Sequence, residues 1–171
     1  MKVKTPKEIR EKKARIAEKL KARNLERKTK KQFSRSKLIK EADRVFSLYI
    51  RGRDSWKPCC TCWTAWTENA QCWHFMSRRH YYTRWIEYNA HWQCYRCNML
   101  LSWEQYKHAK FIDKTYNGKE WVFPSMSEWL HDQAMKTDKS TDADILVTIQ
   151  NLYRKCFDLW IDYEPKKQFL N

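Results

Sequence analysis

Apolar residues recur at helical spacing in several stretches of the chain and lose that rhythm in its middle. Leu38, Ala42, Val45, Phe46 and Tyr49 give a helix over about 37–51 a full buried face, with Ser34 and Ser36 placed as N-caps. Ser102 to Tyr116 is again helical in character, with Trp103, Tyr106 and Phe111 apolar and Asn117-Gly118 as its stop. Ser125-x-x-Glu128 is a capping box that opens a helix near 126–135. Thr141-x-x-Asp144 resembles a further start, after which Ile145, Ile149, Leu152, Cys156 and Trp160 share one face to about residue 162. Residues 6–32 are rich in good helix formers, but Ile9, Ile16 and Leu20 make a stripe too thin to bury, so an exposed or binding-induced helix is expected. Between Trp56 and Cys97 no long period survives. Short polar and aromatic stretches alternate there with cysteines and histidines, the texture of a small metal-organised unit.

Charge sharpens this division. Of 171 residues, 35 are Lys or Arg and 20 are Asp or Glu, a net charge of +15. Residues 1–53 carry 20 basic and 6 acidic side chains, whereas residues 111–171 carry 8 and 10. The excess is therefore an N-terminal arm suited to a polyanion. Two glycines and four prolines leave no room for collagen-like, linker-rich or glycine-loop phosphate-binding architectures. No apolar run approaches the roughly 18 residues of a membrane span, and no apolar segment follows the basic start as in a secretory signal. The expected compartment is a reducing cytoplasm, with no membrane partner, where seven cysteines are better metal ligands than disulfide halves. Trp63, Trp66, Trp85 and Trp92 are expected to fill a small core, with base stacking as the other use of such rings.

Cys59-x-x-Cys62 and Cys94-x-x-Cys97 are two knuckles separated by 31 residues. A tight knuckle turns both its sulfurs toward one ion, and two knuckles complete a tetrahedral zinc shell with Zn–S of about 2.3 Å. Cys60 is a possible replacement for Cys59 as ligand, at a less usual spacing. Cys72 and Cys156 read as packed thiols. Such a site is structural and names no activity; the residues around it are more specific. His74 sits in Gln71-Cys72-Trp73-His74-Phe75, which suits the second strand of a hairpin turning near Glu68-Asn69. Asn89 follows His74 by fifteen residues, and Asn98 follows Cys97 directly.

The order CxxC, His, Asn, CxxC-Asn resembles zinc-stapled HNH endonucleases with Asn in the third place. The stretch QCWHFMSRRH, then TRW, N, QC and CN, then EQYKHAKFIDKTYNG, with KLIKEADRVFSLYIRGRDS upstream, is similar to the NinG (Rap) family of lambdoid phage recombination proteins. The resemblance covers about residues 37–118 and implies a fold, an activity and a set of roles. The fold is α+β: a zinc-stapled ββα-metal core, HNH- or treble-clef-like, surrounded by helices behind a basic helical arm. Taken with the charge and periodicity, the expected divisions are a basic helical arm (1–33), a helix plus nuclease core (34–118) and a C-terminal helical packing region (119–171). The implied activity is a structure-selective DNA endonuclease for branched recombination intermediates such as Holliday junctions and D-loops, dependent on Mg²⁺ or Mn²⁺. Phage or host recombination proteins are expected partners. Symmetric junction cleavage would favour a homodimer, although no heptad seam marks one.

On that resemblance His74 is the general base, a neutral imidazole that takes a proton from the attacking water. Asn89 orients it through its side-chain or backbone carbonyl, and Asn98 lends a carbonyl oxygen to the catalytic cation or else caps a helix. Arg78, Arg79, His80 and Arg84 follow the base closely enough to hold phosphates. Trp73 stands where many HNH enzymes place an Asp or His metal ligand; Glu104 and Asp54 are further carboxylates, and His91 and His108 further imidazoles. The other reading is a zinc-finger-type DNA-binding protein without hydrolytic activity.

Removing residues 1–33 is expected to weaken DNA binding and flatten its salt dependence, because each phosphate contact contributes about 0.9 to the log–log slope on duplex DNA. Titrations of both chains across a salt series would test this. Unchanged affinity and slope would assign the arm to a protein partner.

Overall fold

The computed structural model describes residues 34–101, 105–116 and 124–166, together with residues 15, 18–21 and 169. Most of the basic arm, Glu104 and the Asn117-Gly118 stop signal therefore lie outside the described residues. The described elements are helix α1 (Arg35–Arg53), strand β1 (Gln71–His74), strand β2 (Ala90–Gln93), and helices α2 (Gln105–Tyr116), α3 (Met126–Met135) and α4 (Asp142–Asp158). Single 3₁₀ turns at Tyr81–Thr83 and Glu87–Asn89 shape the loop between the strands, and one π turn, Arg96–Leu100, follows β2. The fold is mixed and helix-rich around one two-stranded antiparallel sheet.

Helix α1 buries Leu38, Ala42, Val45, Phe46, Tyr49 and Ile50 against Ile145, Ile149, Leu152, Tyr153 and Cys156 of α4. Gly52 lies so close to Ile161 that a Cβ there would stand 2.2 Å from its Cδ1, so the missing side chain lets the post-α4 segment close over α1. A second core joins Met76 of the inter-strand loop to Ile112 of α2 and Met126, Leu130 and Ala134 of α3. A third gathers Cys59, Cys94 and Cys97 around Ala70 and Trp92.

The capping residues set helix starts as their chemistry requires. Ser125 Oγ accepts from the Glu128 amide at 3.2 Å, and α3 spans the 126–135 that its sequence predicts. Thr141 and Asp144 form a reciprocal capping box at the start of α4. Ser34 holds the N-cap position of α1 without its side chain capping a helix amide, and Ser36 lies inside the helix, its hydroxyl 3.5 Å from that of Ser34.

Two expectations are corrected. The strand carrying His74 is the first of its hairpin, not the second: it pairs with β2 in the register Gln71↔Gln93, Cys72↔Trp92, Trp73↔His91 and His74↔Ala90. The preceding segment cannot serve as its partner because its backbone folds on itself in the cysteine knuckle, Cys59 N–H donating to Thr64 O and Trp63 N–H to Cys59 O. Helix α4 stops at Asp158, and Trp160 is 92% exposed instead of sharing the apolar face. The Ile161 amide reaches Cys156 O and the Trp160 amide reaches Phe157 O, a Schellman closure with Trp160 in the left-handed position at φ 54°.

Glu41, one of two acidic residues in α1, is 1% exposed and fully engaged. It accepts from Arg44 Nη2 at 2.6 Å, the Tyr153 hydroxyl at 2.6 Å and Lys166 Nζ at 2.5 Å, tying α1 to α4 and to the C-terminal segment. Burial alone would raise its pKa, but the bonds from Arg44, Lys166 and Tyr153 outweigh it and hold the carboxyl at about 2. Because the folded value lies below the ordinary 4.5, the stabilisation is present above pH 4.5 and is lost as pH falls toward 2. Glu41→Ala is expected to cost about 1–3 kcal/mol at neutral pH in urea unfolding, since it leaves the buried Tyr153 hydroxyl without its acceptor, whereas Arg44 and Lys166 can turn to solvent. The difference from the parent should shrink as pH falls through that window; a constant difference would deny the carboxylate this role.

Candidate functional site

The four predicted thiols converge. The Sγ atoms of Cys59, Cys62, Cys94 and Cys97 all lie within 4.8 Å of one another, with Cys62 Sγ 3.7 Å from Cys94 Sγ. A tetrahedron with metal–sulfur bonds of about 2.3 Å has edges near 3.8 Å, so the quartet fits a structural zinc ion. Cys60 stands outside it, buried with its sulfur on the Thr61 hydroxyl, which settles the ligand register on Cys59. One knuckle precedes β1 and the other follows β2, so an ion there would clamp the open end of the hairpin.

His74 closes the other end of β1. Its ring lies 5.5 Å from Phe46 of α1, and Nε2 is 3.0 Å from the Arg84 carbonyl. A carbonyl only accepts, so Nε2 carries the proton and Nδ1 holds the lone pair. Nδ1 has no hydrogen-bond partner among the described residues. Burial lowers the imidazole to about 4, against a smaller opposing effect of the Arg84 bond. The ring is thus neutral at pH 7.

Asn89 does not touch that ring, contrary to expectation. It is fully buried, and its amide exchanges bonds with the Met76 backbone, Oδ1 accepting from the Met76 amide at 2.6 Å and Nδ2 donating to Met76 O at 3.0 Å. Nδ2 also donates to Thr83 O at 2.9 Å, while the Asn89 carbonyl receives the Phe75 amide at 2.7 Å. The side chain so adds a rung to the ladder beyond His74 and pins the loop that presents the Arg84 carbonyl. Its effect on His74 is indirect.

Asn98 is not brought to His74. In the π turn, its Nδ2 donates to Gln71 Oε1, three residues away along β1 and on the opposite face of the strand. His74, Asn89 and Asn98 therefore do not meet as one constellation, and Asn98 and His74 do not form a joint cation site. Asp54 is no free ligand either, since Arg53 and Lys57 occupy its carboxylate at 2.7–2.9 Å. Among the described residues, the cysteine quartet is the one convergence of three or more metal-ligating side chains.

The basic cluster divides in two. Arg84, 13% exposed, makes a bidentate pair with Asp43 of α1 at 2.8 and 2.6 Å and donates to Arg78 O at 2.8 Å. His80 Nδ1 is bonded to Ala134 O at 3.0 Å at the end of α3. Both hold the loop in place through these bonds. Arg78 is 62% exposed, with a loose 3.9 Å approach to Asp43, and Arg79 is exposed beside it. Asp43 is the residue sequence reasoning missed: it also accepts from Trp85 Nε1 at 3.0 Å, and its signal was a lone carboxylate beside Glu41 in a basic helix.

His91 and His108 are structural. His91 Nδ1 is 3.0 Å from His108 Nε2, and His91 Nε2 is 2.9 Å from the Tyr116 hydroxyl. Burial holds both well below the ordinary range, His108 at about 3. With donation running from His108 Nε2 to His91 Nδ1, the unpartnered buried His108 Nδ1 is left an acceptor, cheaper than an orphaned N–H.

A family model described as Bacteriophage Lambda NinG protein matches residues 1–142. The chain belongs to the NinG family. No curated protein and no solved structure matches it. The NinG match spans the basic arm, both knuckles, the hairpin and helices α2 and α3. Among the described residues, no helix is long and apolar enough to cross a membrane.

Because the four cysteines stand on both sides of the hairpin, metal binding there would be coupled to folding of the NinG chain. Metal analysis should find one zinc per chain. Cys94→Ser should lose it together with near-UV circular dichroism, unfolding the central unit; folded protein without zinc would refute the site.

Proposed function

We propose that this protein is a DNA endonuclease of branched recombination intermediates, in which His74 is the general base. The observation that carries the reading is the state of that imidazole: neutral at pH 7, its proton fixed on Nε2 by the Arg84 carbonyl, and its Nδ1 free to accept a proton from water. Arg78 and Arg79, a few residues downstream and exposed, supply guanidinium groups for the flanking phosphates. Asn89 and Asp43 are positioning residues, the first through the loop backbone and the second through Arg84. The hairpin with its cysteine staple and following helix is read as an HNH-like core. Mg²⁺ or Mn²⁺ dependence comes from the family resemblance; the residues beside His74 do not gather a cation site, and no step is assigned to one. The strongest sequence signal for DNA as substrate is the arm, with its concentration of Lys and Arg.

A second reading has its own support. The Asn98 side chain is bonded to Gln71 instead of facing His74, as suits a zinc-stapled DNA-binding module without hydrolytic activity.

Labelled linear, flap, Y-shaped and four-way DNAs incubated with Mg²⁺ or Mn²⁺ separate the two. The parent is expected to cut branched substrates, and His74→Ala to keep its zinc, fold and DNA affinity while cleavage falls about 10²–10⁴-fold. Equal cutting by His74→Ala would remove this residue from the chemistry, and no cutting by the parent would establish the binding module.

A further inference from the structure

Tryptophans are expensive to expose, and bulky residues are rarely found at positive φ, where a side chain crowds its own backbone. Trp63 combines both features at φ 64° and 58% exposure. It directly follows the zinc ligand Cys62, so the knuckle's turn fixes its backbone, and its ring stands edge-on to Phe111 of α2 at 6.2 Å. A glycine would satisfy that conformation without strain. The indole thus stands at a position where neither backbone geometry nor core packing asks for it.

Its surroundings say what it could hold. Tyr106, Lys110 and Lys114 succeed one another every fourth residue along α2 and so line one face of the helix. Tyr106 is 69% exposed with Lys110 Nζ 4.5 Å from its ring centre, and Lys114 Nζ lies 6.0 Å from the Trp63 ring. Among the described residues, neither lysine has an ion-pair partner, and the one acid of α2, Asp113, is bonded to Ser127. The surface therefore reads ring, ammonium, ammonium, ring. Trp160 is equally strained and more exposed, yet Asp158 and Asp162 flank it in sequence, and it lies against Phe157.

We infer that Trp63 with the Tyr106–Lys110–Lys114 stripe is a binding site for unpaired nucleotides, the rings stacking on bases and the ammonium groups taking phosphates. Rings set beside cations are what a single strand requires, since every base has a π-face and every linkage a charge. A paired duplex hides its base faces. The inference rests on the reading that this protein acts on DNA, and it assigns the recognition of a branch point's unpaired bases to this surface.

The test uses zinc-loaded full chain without added divalent cation and three labelled probes: oligo-dT, the same backbone made of abasic residues, and a duplex of equal length. Fluorescence anisotropy should show the parent preferring oligo-dT to the abasic strand. Trp63→Gly, which suits φ 64°, should weaken oligo-dT binding about fivefold or more and leave the abasic and duplex probes unmoved. Trp63→Phe should restore most of the preference, and Trp160→Gly should change nothing. Lys110→Gln with Lys114→Gln should weaken both single-stranded probes and flatten their salt dependence. Oligo-dT bound as tightly by Trp63→Gly as by the parent, or an abasic strand bound as tightly as oligo-dT, would overturn the site. Cleavage of branched DNA alongside either result would leave the nuclease reading standing, whereas base-dependent binding without cleavage of any DNA would remove that reading and keep this site.

Discussion

Four cysteine sulfurs gathered at the open end of a two-stranded hairpin are the constraint on which the rest hangs. Strands of four residues make too few ladder bonds to persist alone, and a lone pair of strands is marginal in water. The quartet brings residues 59 and 97 together across the whole hairpin, so everything between them inherits a fixed frame. Trp92 then has a dry place beside the sulfurs, and the π turn has a fixed origin from which α2 departs. At the far end, the Asn89 amide performs the matching service with hydrogen bonds alone.

Charge is used in two ways that composition does not distinguish. Arg44, Arg53 and Arg84 are joined to Glu41, Asp54 and Asp43 in short, partly buried pairs. Each binds α1 or its end to itself or to the sheet region, and each guanidinium is already engaged. Arg78 and Arg79 remain exposed in the loop. A count of basic residues near His74 therefore overstates the cations on offer to a phosphate, because Asp43, 41 positions upstream of Arg84, has claimed that guanidinium.

How much of this was legible follows from the range of each signal. The cysteine pairs and the capping residues at Ser125 and Thr141 are local patterns with one physical meaning, and the structure follows them closely. The hairpin partner was misread because four-residue strands carry almost no periodicity and the knuckle beside them imitates a turn. The loop-holding bonds of Arg84 and His80 are not legible locally, because their partners, Asp43 and Ala134, are distant in sequence. The roles of Asn89 and Asn98 depend on which backbone or side-chain atom each amide meets, which spacing alone does not encode. Trp63 was expected in the core, and Trp160 on a helix face, because hydrophobicity was weighed without the left-handed turns that put both outside.

The topology of the staple also bears on how the chain would tolerate being cut. Ser77, Arg78 and Arg79 form an exposed loop tip between the strands, with two trypsin-sensitive bonds. A nick there would leave one fragment with a pair of thiolates and strand β1, and the other with the second pair and strand β2. Both halves would still be joined by the ladder and the packing of α1 on α4, and by an ion wherever the quartet holds one. Fragment complementation is thus built into the way the four cysteines are divided between the halves.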